Sequence, residues 1–260
     1  VLLERMWPVL TPADLLHDLF GSKALLKLAG QRHLREHEYL ALYRPRSADV
    51  HDVAWSPADV ALLDEARHYL GVRPSKGQAD DADEIRTYGH IVIDEVQDLT
   101  PMQLIMVARR SLNGSMTVVG DIAQATGPLA PNSWNDLLAY LPDRKGSRVI
   151  GLSVGYRIPA QIMELANRVM AVATPELKPP TAVREGDVGP DIMQVDADDL
   201  EATVAAETAR LIDEVPGGNL AVVAPDAMVD DLSKALANAG VTHGRATRTG
   251  LESGVTVVAV

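Results

Sequence analysis

The sequence predicts an α/β protein in which a helical segment precedes two units built on parallel sheets. Short β-branched runs alternate with helical patterns after about residue 85, and this order is typical of parallel sheets. Hydroxyl-proline-acid signals open the helices of the first part. The chain has 260 residues, 47% of them hydrophobic and 23% charged, which is an ordinary composition for two compact units that each bury a core.

Residues 1–75 are predicted to form a helical accessory or insertion subdomain. The sequences TPAD at 11–14 and SPAD at 56–59 each place a hydroxyl N-cap, a proline and an acid ahead of apolar residues at helical spacing. Between them, residues 31–46 alternate charge with leucine and tyrosine, which predicts a further helix. We interpret the charged residues of this segment as a solvent-exposed face. The alternative is a surface dedicated to contact with another molecule.

Residues 76–146 are predicted to form the last half of a first sheet domain. A polar, acidic stretch at 74–84 indicates an exposed boundary loop. The strands HIVI at 90–93 and MTVV at 116–119 flank a helix that opens with the capping sequence TPMQ at 100–103. Trp134 precedes leucines at helical spacing and is expected in the core, with stacking on nucleic acid as the alternative.

Residues 147–260 are predicted to form a second, incomplete sheet domain. Its elements are a strand at 148–152, helices at 159–172, 200–215 and 229–239, and strands at 220–224 and 255–260. The first residue is Val1, and the last strand stops without a turn. We therefore expect the chain to be an internal piece of a longer protein.

Composition narrows the classes of function. A net charge of −12 argues against general binding to nucleic acid. It does not exclude local basic patches that bind nucleic acid. The chain has no cysteine, which excludes disulfides, thiolate metal sites and thiol catalysis, and its histidines lack the spacing of a zinc site. The sequence shows no membrane-spanning run and no leader, so we expect a cytoplasmic protein without membrane contact.

Acidic and amide side chains follow both strands of the first sheet. Asp94 and Glu95 come directly after one strand, and Asp121 and Gln124 follow the next. Ligands of parallel sheets collect at the carboxyl ends of strands, where a carboxylate can hold Mg²⁺ beside a nucleotide. Asp94 alone could equally cap a turn. The whole DEVQD sequence at 94–98 favours the functional interpretation.

These residues carry a family resemblance. DEVQDL at 94–99 resembles motif II of the UvrD-type superfamily 1 helicases, and VVGDIAQ at 118–124 resembles motif III. LSVGYR at 152–157, followed by Ile162 and by Ala166 and Asn167, resembles motif IV. The resemblance implies two partial RecA-like domains of the P-loop NTPase superfamily. The run at 100–127 is similar to the actinobacterial HelD-like branch, whose members act on RNA polymerase.

The resemblance implies ATP hydrolysis, with ATP and Mg²⁺ as cofactors. Asp94 would hold Mg²⁺ through water, and Glu95 would orient and deprotonate the attacking water. Gln124 would sense the γ-phosphate and couple it to the nucleic-acid side, with a hydrogen bond at a helix end as the alternative. Asp121, at the nucleotide edge, would orient Gln124 or cap a helix rather than touch the metal.

The third motif implies two further roles. Arg157 would enter from the second domain as an arginine finger and offset charge on the transferring phosphoryl group, with a surface salt bridge as the alternative. Tyr156 would stack on the base, with core packing as the alternative. Two positions depart from the usual pattern, since Val96 replaces a common alanine and Gly155 a common asparagine.

The sequence G-x-x-x-x-G-K-[ST] does not occur in these 260 residues. We therefore expect these residues alone to bind nucleotide poorly and to be inactive. The favoured interpretation is a HelD-like ATP-dependent motor that remodels or releases RNA polymerase, with DNA or RNA as further partners. The alternatives are a conventional DNA-repair helicase and a non-catalytic interaction module that keeps only the fold.

Overall fold

The computed structural model describes residues 9–71, 85–125, 127, 129, 131–142, 146–186, 188–246 and 254–260. The chain separates into two compact units, Val1–Arg184 and Glu185–Val260. Short parallel sheets with helices confirm the predicted α/β class and are consistent with partial RecA-like domains. The boundary loop predicted at 74–84 lies outside the described residues. The domain boundaries predicted at 75/76 and 146/147 stay predictions.

Four helices lie within residues 9–71, the described beginning of the larger unit. They are α1 (Pro12–Phe20), α2 (Lys23–Gly30), α3 (Glu36–Ala41) and α4 (Pro57–Leu70). The predicted capping box of α1 is confirmed, because Asp14 N donates to Thr11 Oγ1 at 2.9 Å and Thr11 N donates to Asp14 Oδ2 at 3.0 Å. The helices enclose a core of buried apolar side chains, namely Leu16, Phe20, Leu26, Tyr39 and Ala66.

The helix predicted at 31–46 is wrong in extent. Regular helix there is confined to the six residues of α3, and the preceding α2 was not predicted. A Cβ on Gly30 would lie 2.9 Å from Cβ of Tyr39, so the end of α2 packs directly on α3 and the chain turns between them. The backbone amide of Arg44 donates to the carbonyl of Phe20 at 3.0 Å, which takes it out of any helix.

An ion pair between a buried carboxylate and a partly exposed guanidinium fixes the segment that precedes α4. Asp59 is only 1% exposed, and the Arg44 guanidinium donates to its two oxygens at 2.7 and 2.8 Å. Ser56 adds bonds from its amide and hydroxyl to Asp59 Oδ2 at 2.8 and 2.7 Å. The bonds from Arg44 hold the pKa of Asp59 far below its ordinary value, although burial opposes this shift.

We predict that Arg44→Met lowers the free energy of unfolding by about 3 kcal/mol at pH 7, because it leaves the buried Asp59 carboxylate without its cation. The stability that this pair contributes is fully present above the ordinary carboxyl pKa of about 3.9. It is lost as the pH falls through the lower pKa that Asp59 has in the folded protein. Urea unfolding at several pH values should therefore show a constant gap to wild type near neutrality and a narrower gap in acid.

Arg35→Met is the matched control for this prediction, because Arg35 forms an exposed pair with Glu38 in which the side chains are 75% and 36% exposed. Its effect on the free energy of unfolding should be much smaller than that of Arg44→Met, because solvent screens an exposed pair. Equal losses for the two variants, or an Arg44→Met gap that does not change with pH, would show that the pair of Arg44 with Asp59 does not act as described.

The first sheet pairs β1 (Ile91–Ile93) with β2 (Met116–Val118) in parallel, as predicted. α5 (Pro101–Ala108) connects them, and α6 (Trp134–Leu138) follows. The core beneath the sheet contains Ile93, Val96, Leu104, Ile122 and Leu137. Trp134 packs against this core, which supports the expected core role rather than stacking on nucleic acid.

A group of ion pairs joins the helical part to the first sheet. Asp64 on α4 accepts from Arg109 at 3.1 Å and from Arg110 at 2.6 Å, and Glu65 also pairs with Arg109. The side chain of Asp64 is 5% exposed, so the pairs are largely shielded from water. The helical part is therefore anchored to the end of α5, the helix that follows the strand-end acids.

A second two-stranded parallel sheet completes the larger unit. It consists of β3 (Val154–Pro159) and β4 (Thr181–Arg184), with α7 (Ala160–Ala173) between them. The strand predicted at 148–152 is wrong, and β4 was not predicted. Residues 148–152 are exposed, and pairing with β4 begins only where Thr181 N donates to Ser153 O at 2.8 Å.

The smaller unit is a three-stranded parallel sheet with two helices. Its elements are α8 (Leu200–Glu214), β5 (Leu220–Ala224), α9 (Asp226–Asn238), β6 (Gly244–Arg245) and β7 (Val255–Ala259), and β7 lies between β5 and β6. The predicted helices and strands of this region are confirmed within a few residues. Among the described residues, no helix has the length and apolar character needed to cross a bilayer.

Candidate functional site

The ends of β1 and β2 lie side by side. Val119 N donates to Ile93 O at 2.8 Å, and Val96 N donates to Val119 O at 3.0 Å, so the pairing continues beyond the strands. The chain after β1 carries Asp94 and Glu95, and the chain after β2 carries Asp121. The structure therefore brings the predicted acids to one edge of the sheet.

Glu95 has an unusual backbone conformation. Its φ of 49° and ψ of 45° lie in the left-handed region, and it is the sole non-glycine residue with a positive φ in the part of the chain that the structure describes. Such a conformation costs about 1 kcal/mol or more and persists where the surroundings enforce it. Both Glu95 and Asp94 are exposed, and Asp94 Oδ1 accepts the Glu95 amide at 2.9 Å.

A buried amide links the two strand ends. Gln97 is 3% exposed, its Nε2 donates to Glu95 Oε2 at 2.8 Å, and its Oε1 accepts from the backbone amide of Asp121 at 3.0 Å. Gln97 belongs to the DEVQD pattern, but that pattern does not predict this contact. The available signal was the residue type, because an amide can donate and accept at the same time.

Asp121 orients Gln124 and caps the short turn between them. Its Oδ2 accepts from Gln124 Nε2 at 2.8 Å, and its Oδ1 accepts from the backbone amide of Ala123 at 3.0 Å. Gln124 itself is exposed. Glu95, Gln97, Asp121 and Gln124 thus form one continuous chain of hydrogen bonds across the two strand ends, which we call the strand-end chain.

Gly120 is needed for the close approach of these segments. A Cβ at this position would lie 2.4 Å from Gln97 Oε1, 2.9 Å from Val96 Cγ1 and 3.1 Å from the Val96 amide nitrogen. The last of these atoms is backbone and cannot rotate away. The glycine therefore permits the buried Gln97 side chain to reach the Asp121 amide.

We predict that Gly120→Ala lowers the free energy of unfolding by about 1 to 3 kcal/mol, because the added methyl group overfills the space between the strand ends. Thermal or urea unfolding measures the loss. Gly151→Ala is the matched control, since a Cβ there would meet no atom within 4 Å. If both variants are as stable as wild type, the close packing around Gly120 is not required for the fold.

The donor set fits a magnesium ion that is held largely by a nucleotide. Within the described residues, no group of three or more His, Cys, Asp or Glu side chains is arranged to hold a metal. Mg²⁺ commonly uses one or two carboxylates and completes its shell with phosphate and water oxygens. The exposed Asp94 carboxylate is the residue that could serve in this way.

The structure does not bring Tyr156 and Arg157 into contact with the strand-end chain. Both lie on β3, and Tyr156 is 75% exposed, so it is not a core residue. The Arg157 carbonyl accepts from Arg184 Nη1 at 3.3 Å, while no hydrogen bond or ion pair of the Arg157 guanidinium occurs among the described residues. The roles expected for both residues stay predictions.

Comparison with known proteins finds partial relatives. No family model matches the chain. The ATP-dependent DNA helicases UvrD2 of Mycobacterium tuberculosis and Mycobacterium bovis are each 31% identical over 164 residues, which cover 60% of this chain and 23% of theirs. The ATP-dependent DNA helicase srs2 of Schizosaccharomyces pombe is 32% identical over 90 residues, which cover 34% of this chain and 10% of its own.

These similarities support a relationship to the UvrD-like helicases of superfamily 1, as motifs II and III indicate. They do not show the HelD-like branch. The chain spans 23% of the length of the mycobacterial relatives, so the activity of the whole protein is a matter for proposal.

Proposed function

We propose that residues 94–124 form the hydrolytic edge of an ATP-dependent motor of UvrD-like type. The observation that carries the proposal is the strand-end chain, in which an exposed carboxylate at the end of a parallel strand is held by a buried amide. Relatives that are named as ATP-dependent DNA helicases support it. Hydrolysis would be coupled to movement along nucleic acid or to remodelling of a bound partner.

In this proposal the two acids have different tasks. Bound Mg²⁺-ATP supplies the phosphorus that is attacked and part of the charge neutralisation. Asp94 holds the hydrated cation, and Glu95 orients a water and accepts its proton. This division requires that Glu95 keep its carboxylate away from the cation, and its bond to Gln97 holds one of its oxygens in place.

Gln124 is proposed to report the state of the γ-phosphate. Its amide is exposed and is tied to Asp121, so a contact with phosphate would act directly on the strand-end chain. Arg157 is proposed to complete the charge neutralisation in the transition state, and Tyr156 to stack on the adenine base.

The substrate of the motor has two candidates. Similarity to proteins named as DNA helicases favours translocation on DNA and strand separation. The resemblance of residues 100–127 to the HelD-like branch favours remodelling or release of RNA polymerase, and the net charge of −12 fits a protein partner better than general binding to phosphate backbones.

Two assays on the full-length protein separate the candidates. Strand displacement on a tailed duplex supports a helicase, whereas nucleotide-dependent co-purification with RNA polymerase supports the remodelling function. ATPase activity with neither property would contradict both substrates while leaving the hydrolytic site intact. If the full-length protein does not hydrolyse ATP, the motor proposal fails and the non-catalytic interaction module is supported.

The helical part is proposed to be an anchored accessory subdomain that contacts the partner. Its deletion is a poor test of partner binding, because it would also leave Arg109 and Arg110 without Asp64 and Glu65. Exchanging the exposed Lys27 and Arg32 for glutamine avoids this problem. We expect weaker binding of the partner with unchanged basal ATPase activity. Unchanged binding would contradict a contact through these two cations.

A further inference from the structure

We infer that Gln97 is a positioning residue that fixes the Glu95 carboxylate and couples it to the turn that carries Gln124. The inference rests on the proposed hydrolytic function. Gln97 is not among the residues to which the sequence assigned a role, namely Asp94, Glu95, Asp121, Gln124, Tyr156 and Arg157. We assign to it the link between the catalytic base and the residue that senses phosphate.

The neighbours of Gln97 determine which way its amide points. The Asp121 backbone amide can only donate, and the Glu95 carboxylate can only accept. Rotating the Gln97 amide by half a turn would set its nitrogen against the Asp121 amide and its oxygen against Glu95. Because Gln97 is 3% exposed, water could not relieve either clash, so the side chain has one acceptable orientation.

This orientation has a consequence for Glu95. The Gln97 bond engages Oε2, so Oε1 is the oxygen that is presented to an attacking water. The left-handed backbone at Glu95 brings the side chain back over the turn formed by Val96–Asp98, where Gln97 lies. Catalysis depends on a base held in one geometry, and residues that hold such a group typically contribute about 10- to 100-fold to activity.

The Gln97 amide also links the position of Gln124 to that of the Glu95 carboxylate. Gln97 Oε1 accepts the amide of Asp121, and the Asp121 carboxylate holds Gln124. A shift of Gln124 on contact with phosphate would move Asp121 and, through Gln97, the carboxylate of Glu95. The three bonds measure 2.8, 3.0 and 2.8 Å, so the path contains no gap.

Gln97→Glu is the most informative variant. It can still accept from the Asp121 amide, but it places a second carboxylate within hydrogen-bond distance of Glu95. A carboxylate has no N–H group to donate to Glu95 Oε2, so the variant loses the bond that holds Glu95 and keeps an acceptor for the Asp121 amide. We therefore expect kcat in the full-length protein to fall about 10- to 100-fold with KM for ATP within about 3-fold, because the base is no longer held in one geometry.

Gln97→Met removes both bonds and keeps the length of the side chain. We expect kcat to fall about 10- to 100-fold with KM for ATP within about 3-fold, because binding contacts are untouched. Hydrogen exchange gives a readout without nucleotide. The Asp121 amide should stay protected in wild type and in Gln97→Glu, and should exchange faster in Gln97→Met.

Gln103→Met is the matched control. Gln103 accepts from Thr100 at the start of α5, away from the strand-end chain, so its loss should affect stability without lowering kcat. An unchanged kcat in both Gln97→Glu and Gln97→Met would overturn the positioning role. Wild-type turnover in Glu95→Gln would remove the base that Gln97 is inferred to position, and the inference would fall alone. If the full-length wild-type protein does not hydrolyse ATP, the proposed function itself is wrong, and the inference falls with it.

Discussion

Glu95→Gln in the full-length protein is expected to lower ATP turnover about 10³-fold while ATP still binds. The substitution keeps the size of the side chain and an oxygen that can accept from Gln97 Nε2, but removes the group that takes the proton from water. Single-turnover hydrolysis and nucleotide binding, measured on the same preparation, separate the chemical step from affinity.

The control for this variant is Glu164→Gln, which changes an exposed carboxylate on α7 in the same way. It should hydrolyse ATP at the wild-type rate. Hydrolysis within about 3-fold of wild type in Glu95→Gln would remove the general base from the account. A loss of ATP binding equal to the loss of turnover would instead show that Glu95 contributes to affinity rather than to the chemical step.

Arg157→Ala is expected to lower the rate of hydrolysis about 10³-fold, the scale on which arginine fingers act on phosphoryl transfer. The Arg157 guanidinium has no protein partner among the described residues, so its removal breaks no ion pair there. ATP affinity should change little, because the charge that the guanidinium offsets develops mainly in the transition state.

Arg168→Ala removes another exposed guanidinium, on α7, and serves as the control. Unfolding transitions of both variants should match wild type. If Arg157→Ala hydrolyses ATP at the rate of Arg168→Ala, Arg157 is not part of the hydrolytic site, and its proposed role as an arginine finger is wrong.

Local signals in the sequence predicted much of the fold. The capping sequences at residues 11, 56 and 100 placed three helix starts correctly, because an N-cap bond joins residues only three positions apart. The parallel pairing of β1 and β2 followed from the strand, helix, strand order. These features depend on neighbours in the chain and are visible without tertiary structure.

Features set by distant residues could not be predicted in this way. The helix expected at 31–46 is limited to α3, since the chain turns after Gly30 to pack α2 on Tyr39 and Arg44 leaves the helix to reach Asp59, fifteen residues away. Periodicity indicated helix throughout that range, but these contacts decided the outcome. The strand expected at 148–152 has an apolar sequence, yet pairing with β4 starts only at Ser153.

In the candidate site, too, the features set by local sequence were predicted and those set by distant residues were not. The acids were found because each follows a strand directly, and neighbouring parallel strands end at one edge of the sheet. The contact between Gln97 and the Asp121 amide spans 24 positions and depends on the absence of a side chain at Gly120. Such a contact has no local pattern, so only the structure could identify Gln97 as the link.

Metal-directed cleavage shows where the nucleotide-bound cation lies. Fe²⁺ replaces Mg²⁺ with ATP in the full-length protein, and ascorbate with peroxide then generates radicals that cut the backbone near the metal. We expect nucleotide-dependent cuts close to Asp94 and Asp121, which weaken in Asp94→Ala. Nucleotide-dependent cuts elsewhere, with none at the ends of β1 and β2, would contradict a phosphate site at this edge of the sheet.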